Sequence, residues 1–195
     1  MLELRVKGID FRVSLLFPAA LVVVLTLDQT GVPAWCIAAS VMHEAGHFLA
    51  LYALGDRPEA VCVGLFGVRV VRRPADPLNY RGTLLVALAG PLVNLIAFSV
   101  LYAAGGMSVP ATVHLILGAF NLLPVGPLDG GQALFAAAAQ RWDEQGAERL
   151  CQIVSVAVLI PLATLGFYLL IRSGYNFTLL AVSLYLGLLL LFKRR

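Results

Sequence analysis

AWCIAASVMHEAGHFLALYAL, residues 34–54, is an apolar run long enough to cross a bilayer. Within it stand His43, Glu44 and His47, in the spacing H-E-x-x-H. Positions i and i+4 of a helix share one face, so both imidazoles can reach one metal ion. A charged side chain at the membrane centre costs about 2.5–3.5 kcal/mol on the lenient insertion scale. We therefore predict a metal site inside a membrane helix.

The composition supports a membrane location. The chain has 195 residues, of which 60% are hydrophobic and 13% charged, and its mean hydropathy is +0.88. Soluble domains have about 45–50% apolar and about 25% charged residues. The apolar runs are continuous rather than alternating, which favours helices over a barrel. We expect a single integral-membrane domain over residues 1–195, embedded in the lipid bilayer. A net charge of +3 does not indicate binding to nucleic acid, so we expect no nucleic-acid partner.

Six apolar runs are predicted to span the membrane. They cover residues 14–27, 33–54, 83–104, 110–123, 152–171 and 177–192. With the N-terminus in the cytoplasm, 13 of the 14 basic residues fall on the inner side, and only Arg172 falls outside. The sequence thus predicts an all-α polytopic membrane protein of six transmembrane helices, with both termini cytoplasmic and its active site in the cytoplasmic half.

The segment between the second and third spans has a different pattern. Residues 60–73 read AVCVGLFGVRVVRR, too short and broken for a span. Alternating valines on both sides of Gly64–Gly67 favour a short membrane-associated β-hairpin. Its edge could pair with an extended peptide by strand addition. A connecting loop with local β character is the alternative.

A catalytic zinc site usually has three protein ligands, so a third is needed. His114 lies near the outer end of the fourth span. Asp129 follows a break in that span, which Pro124 and Pro127 place near the cytoplasmic end of the span. Non-helical backbone at membrane depth must be buried or line a cavity. Asp129 is therefore the better ligand candidate, and His114 is expected to make a polar contact in the bundle. Cys36, seven residues before His43, is a weaker alternative ligand.

Two polar residues have a second interpretation. Asp129 could instead cap a helix over residues 130–140, and both roles are compatible. Asn94 ends the stretch Gly90-Pro-Leu-Val-Asn94 inside the third span. Its amide either bonds across helices, as polar groups in membrane bundles do, or lines the active-site cavity.

Three motifs together carry a family resemblance. H-E-A-G-H in one span, A-G-P-L-V-N in the next and N-x-x-P-x-x-x-L-D-G in the one after resemble the site-2 proteases, zinc intramembrane metalloproteases. The six-span layout is most similar to the bacterial branch that includes the sporulation pro-sigma-factor processing protease. The resemblance covers about residues 33–140, the expected catalytic core.

The resemblance implies a role for each matched residue. His43, His47 and Asp129 would bind one Zn²⁺ per chain, and Glu44 would be the general base on zinc-bound water. Asn94, Asn121 and Pro124 match positions that bind substrate or support the site. The substrate would be a membrane-bound regulatory protein, such as an anti-sigma or pro-sigma factor. We expect no PDZ domain and no C-terminal nucleotide-binding regulatory domain, which puts regulation by ATP in doubt.

The predicted reaction is metal-assisted hydrolysis of a peptide bond in or near a transmembrane segment. The alternative is a non-catalytic zinc-binding scaffold or a metal transporter, because ionisable residues within spans also mark ion pathways. Against transport, the apolar segments hold no acidic relay beyond Glu44 and Asp129. Glu44 would also be dispensable in a purely structural zinc site.

Overall fold

The long apolar runs form helices, since a helix satisfies its backbone polar groups within the segment. The computed structural model describes residues 2–6, 9–14, 16–56, 60–64, 67–71 and 79–192, and this part of the chain is mostly helical. The helices are α1 (Leu16–Leu27), α2 (Val32–Ala53), α3 (Tyr80–Gly105), α4 (Val109–Asn121), α5 (Asp129–Ala138), α6 (Glu144–Ser173) and α7 (Thr178–Phe192).

Each predicted span corresponds to a helix, and the fourth ends at Asn121, where a break was expected. By length and composition, two helices in the described ranges could cross a membrane, namely α3 and α6. The described part of α7 has 15 residues, fewer than the roughly 20 that a span needs. The crossing of the membrane by six helices therefore stays a prediction.

Four strands form one sheet in the order β1-β2-β3-β4. They are β1 (Leu2–Val6), β2 (Ile9–Val13), β3 (Ala60–Gly64) and β4 (Gly67–Val71). The pair β2–β3 is parallel, whereas β1–β2 and β3–β4 are antiparallel. The predicted hairpin segment contains β3 and β4, but its residues 65–66 and 72–73 lie outside the described residues.

The first half of this sheet was not predicted. Apolar residues alternate at every second position through residues 2–6 and again through residues 9–13, and this period is typical of strands. The description as all-α is therefore too narrow, since the chain is mostly helical with a four-stranded sheet. Whether that sheet touches the membrane stays a prediction.

The ends of α2 fix the position of the H-E-x-x-H motif along the helix. Pro33 stands in the first helical turn, where its missing N–H costs nothing. At the other end Gly55 has φ +76°, and its N–H donates to the carbonyl of Tyr52 while that of Asp56 donates to Leu51. This Schellman arrangement stops the helix two turns after His47.

The contacts divide the chain into two units. The first comprises Met1–Asn79 and Ala89–Gly118, and the second comprises Tyr80–Leu88 and Ala119–Arg195. In the second unit Val125, Leu159 and Leu186 form a buried apolar cluster, and α6 packs against α5 and α7. In the first unit, α2 and the later part of α3 carry the polar residues described next.

Candidate metal centre

Helix α2 brings His43 and His47 together on one face. Their Nε2 atoms lie 3.1 Å apart, and the rings meet edge to face at 81° with centroids 4.8 Å apart. His43 is buried and His47 half-buried. Two nitrogens at this separation, each about 2.0–2.1 Å from one ion, would subtend roughly 100°, close to the tetrahedral angle of zinc sites. The pair therefore fits one Zn²⁺.

Two glycines allow α3 to approach this face closely. A Cβ on Gly46 would lie 2.8 Å from the carbonyl oxygen of Ala89. A Cβ on Gly90 would lie 2.9 Å from Nε2 of His43 and closer still to the ring of His47. Any larger residue at position 90 would thus fill the space beside both ring nitrogens. Gly90 stands in the A-G-P-L-V-N motif, but the motif alone did not indicate this close approach.

Asn94 and His114 extend the polar cluster behind His43. The Asn94 amide nitrogen lies 3.1 Å from Nδ1 of His43, and its amide oxygen lies 3.1 Å from Nδ1 of His114. Asn94 thus bonds across helices, as one of its two interpretations predicted, and one of its partners is a candidate ligand. That Asn94 lines the active-site cavity stays a prediction. His114 makes the polar contact expected of it. Its link to His43 through the single side chain of Asn94 was not predicted from the sequence.

Asp129 is the first residue of α5, after the break. The residue in the N-cap position is Leu128, whose side chain makes no capping hydrogen bond. The N-cap interpretation of Asp129 is therefore wrong, because its carboxylate stands one position past the cap. In the break, the carbonyl oxygen of Pro124 lies 3.5 Å from the Ser155 hydroxyl.

His43 and His47 each offer one ligand atom to a group that could hold a metal ion, and Asp129 as its third member stays a prediction. In the described part of the chain neither Cys36 nor His114 belongs to such a group, and Cys36 is exposed. Glu44, beside His43, is half-buried, as is Asn121 at the end of α4. The donor set of two imidazoles and one carboxylate suits a catalytic zinc ion.

Comparison with known proteins shows which proteins this chain is similar to. The model of peptidase family M50 matches residues 106–162, which include Asp129 but not the H-E-x-x-H motif. The candidate zinc metalloprotease Rip3 of Mycobacterium tuberculosis is 32% identical over 165 residues, covering 74% of this chain and 41% of that protein. The zinc metalloprotease MJ0392 of Methanocaldococcus jannaschii is 24% identical over 200 residues, covering 93% of this chain and 56% of the relative.

A solved structure shows the same fold. The site-2 protease from Methanocaldococcus jannaschii superposes with a TM-score of 0.68 at 22% identity, over 100% of this chain and 95% of that chain. The chain spans about half the length of the two curated relatives, 41% and 56%. These matches confirm the resemblance found in the sequence motifs, while its narrower sporulation branch stays a prediction. The chain thus has the fold of a site-2 protease, carries a match to peptidase family M50 over residues 106–162, and is similar in sequence to zinc metalloproteases.

Proposed function

We propose that the protein is an intramembrane zinc endopeptidase that hydrolyses a peptide bond in or near a transmembrane segment of another protein. The observation that carries the proposal is the pair of Nε2 atoms 3.1 Å apart on α2, beside the space that Gly90 leaves open. The similarity to zinc metalloproteases adds the reaction class. Apolar helices long enough to span a bilayer add the location.

The residues that would hold the zinc ion, one per chain, are His43, His47 and Asp129. Bound zinc would supply Lewis-acid chemistry, since it would polarise the scissile carbonyl and make water acidic enough to lose a proton before it attacks. Asn94 would orient the ring of His43 from behind. Asn121 and Pro124 would shape the wall of the site in and before the break.

Glu44 would be the general base. It stands next to His43 on α2 and is half-buried, so its carboxylate is shielded without being sealed from water. It would accept a proton from the attacking water and return that proton to the leaving amine. General acid–base catalysis of this kind contributes about 10²–10⁴ to the rate.

The substrate would be a membrane-bound regulatory protein, such as an anti-sigma or pro-sigma factor. A transmembrane helix hides its carbonyls in internal hydrogen bonds, so the cleaved stretch must unwind first. Strand β4 lies at the edge of the sheet, where an extended peptide could add by backbone pairing. The site would open to the cytoplasmic half of the membrane, with both chain termini on that side.

The test is Glu44→Gln in the purified full chain. We expect zinc content to stay at the wild-type level and cleavage of a membrane substrate to fall by about 10²–10⁴, because the amide accepts no proton. Glu148→Gln makes the same chemical change at an exposed position and should leave cleavage unchanged. Metal analysis and gel-resolved product formation measure the two effects.

Two results would contradict the proposal. Cleavage at the wild-type rate by Glu44→Gln would remove Glu44 from the chemistry. A wild-type chain that binds zinc and cleaves no membrane substrate would favour the scaffold or transporter alternative, and metal uptake into vesicles would then separate those two.

A further inference from the structure

Three buried polar side chains, one on each of three helices, stand in a row that ends at the candidate metal centre. His43 on α2 is 6% exposed, Asn94 on α3 is 0% exposed and His114 on α4 is 4% exposed. Both gaps in the row are 3.1 Å. Burying three polar groups in an apolar bundle is costly unless each is hydrogen-bonded, so the row calls for a specific explanation.

The chemistry of the His43 ring sets a requirement on this row. If Nε2 is to bind a cation, its lone pair must be free, and the proton of the neutral ring then sits on Nδ1. That Nδ1–H needs an acceptor, and the group facing it is the amide of Asn94. Metal-binding histidines nearly always donate their second ring nitrogen to such a partner.

The amide of Asn94 can meet this requirement in one of its two orientations. With its nitrogen toward His43, the amide donates to Nδ1, and the ring proton sits on Nε2, which cannot then bind metal. With its oxygen toward His43, the amide accepts from Nδ1–H and leaves Nε2 free. The amide NH₂ then faces Nδ1 of His114, which must accept. The structure places the amide nitrogen toward His43 and the amide oxygen toward His114, so metal binding requires the amide to turn over. His114 supports the turned orientation when its own ring proton sits on Nε2, because its Nδ1 then accepts from the amide NH₂.

We propose that His114 is a positioning residue for the metal centre. It holds the Asn94 amide against Nδ1 of His43 and so keeps Nε2 of His43 free and aimed at the ion. The inference rests on the proposed function, because it assumes that His43 binds zinc. It explains why a histidine that belongs to no ligand group lies buried behind the ligands.

The experiment compares zinc affinity in full-length variants by competition with a chelator. We expect His114→Leu to raise the zinc Kd by about 10-fold or more, within the 10–100-fold range typical of outer-shell partners. His114→Gln should restore most of the affinity, since its amide can also accept. Thr112→Val, which removes a hydroxyl that donates to the carbonyl of Ser108 just before α4, is the matched control and should leave the Kd unchanged.

An unchanged zinc Kd in His114→Leu, or no recovery of affinity in His114→Gln, would overturn the inference. The proposed function would still stand in that case, provided that the wild type binds zinc. If the wild type binds no zinc, both fail. If His114→Leu does not fold, two variants of Asn94 test the inference instead. Asn94→Asp keeps an acceptor for Nδ1–H and should retain affinity, whereas Asn94→Leu should lose it. Equal loss in both Asn94 variants would also contradict the inference.

Discussion

At the scale of single residues, Gly90 is a position where a small change would disturb the candidate metal centre directly. In Gly90→Ala the new Cβ would lie 2.9 Å from Nε2 of His43 and closer to His47. Overpacking of this kind costs about 1–3 kcal/mol, and here it displaces the two nitrogens needed for zinc. We expect a lower zinc affinity and a lower melting temperature, measured by chelator competition and thermal unfolding.

The same helix supplies the control for this prediction. A Cβ on Gly105 would meet nothing within 4 Å, so Gly105→Ala tests the effect of alanine in α3 without the contact. It should bind zinc like the wild type. Equal affinity in both variants would show that the close approach of Gly90 to the two rings does not shape the site.

The pair of histidines on one helix was predictable from their spacing, whereas the row of bonds across three helices was not. Residues i and i+4 of a helix share one face, so the spacing in the sequence was enough to predict that His43 and His47 lie together. The row from His43 through Asn94 to His114 depends on how three helices cross and in which register. No pattern along the sequence encodes that register, and His114 was therefore judged from its depth alone.

At the scale of elements, the break between α4 and α5 is held by Ser155 on α6. The Ser155 hydroxyl accepts from the N–H of Gly126 at 2.9 Å and donates to the Cys151 carbonyl at 2.6 Å, and the residue is 0% exposed. Ser155→Ala would leave the Gly126 N–H without this partner, at a cost of about 1–3 kcal/mol. We expect a lower melting temperature and faster proteolysis within residues 122–128.

Ser183→Ala is the matched control for that element. Ser183 is also buried, at 2% exposed, but its hydroxyl donates only to the Leu179 carbonyl one turn earlier in α7. Its removal leaves no N–H without a partner, so the effect should be smaller than that of Ser155→Ala. Equal losses in the two variants would mean that the hydroxyl does not hold the break.

Helices were easier to predict than strands in this chain. Long continuous apolar runs leave helix as the natural structure, and all six predicted runs coincide with helices. The strands β1 and β2 were missed because ten residues of alternating pattern beside a basic cluster resemble an ordinary flank of the first span. Their pairing with β3 joins segments far apart in sequence, which local pattern cannot show.

At the scale of the whole molecule, the distribution of charge makes a topological prediction. Basic residues favour the cytoplasmic side of short loops, so the connection between α5 and α6 should lie inside and that between α6 and α7 outside. Trp142 and Tyr175 mark these connections and are 56% and 80% exposed. In a chain whose native cysteines are replaced, the accessibility of Trp142→Cys and Tyr175→Cys reports on opposite sides of the membrane.

We expect a membrane-impermeant maleimide to label Tyr175→Cys in intact cells and to label Trp142→Cys only after permeabilisation. The same orientation would place His43 and His47, about three and two turns before the inner end of α2, in the cytoplasmic half of the membrane. Labelling of Trp142→Cys in intact cells would invert the topology. The candidate metal centre would then face the outside, and a cytoplasmic site of cleavage would be excluded.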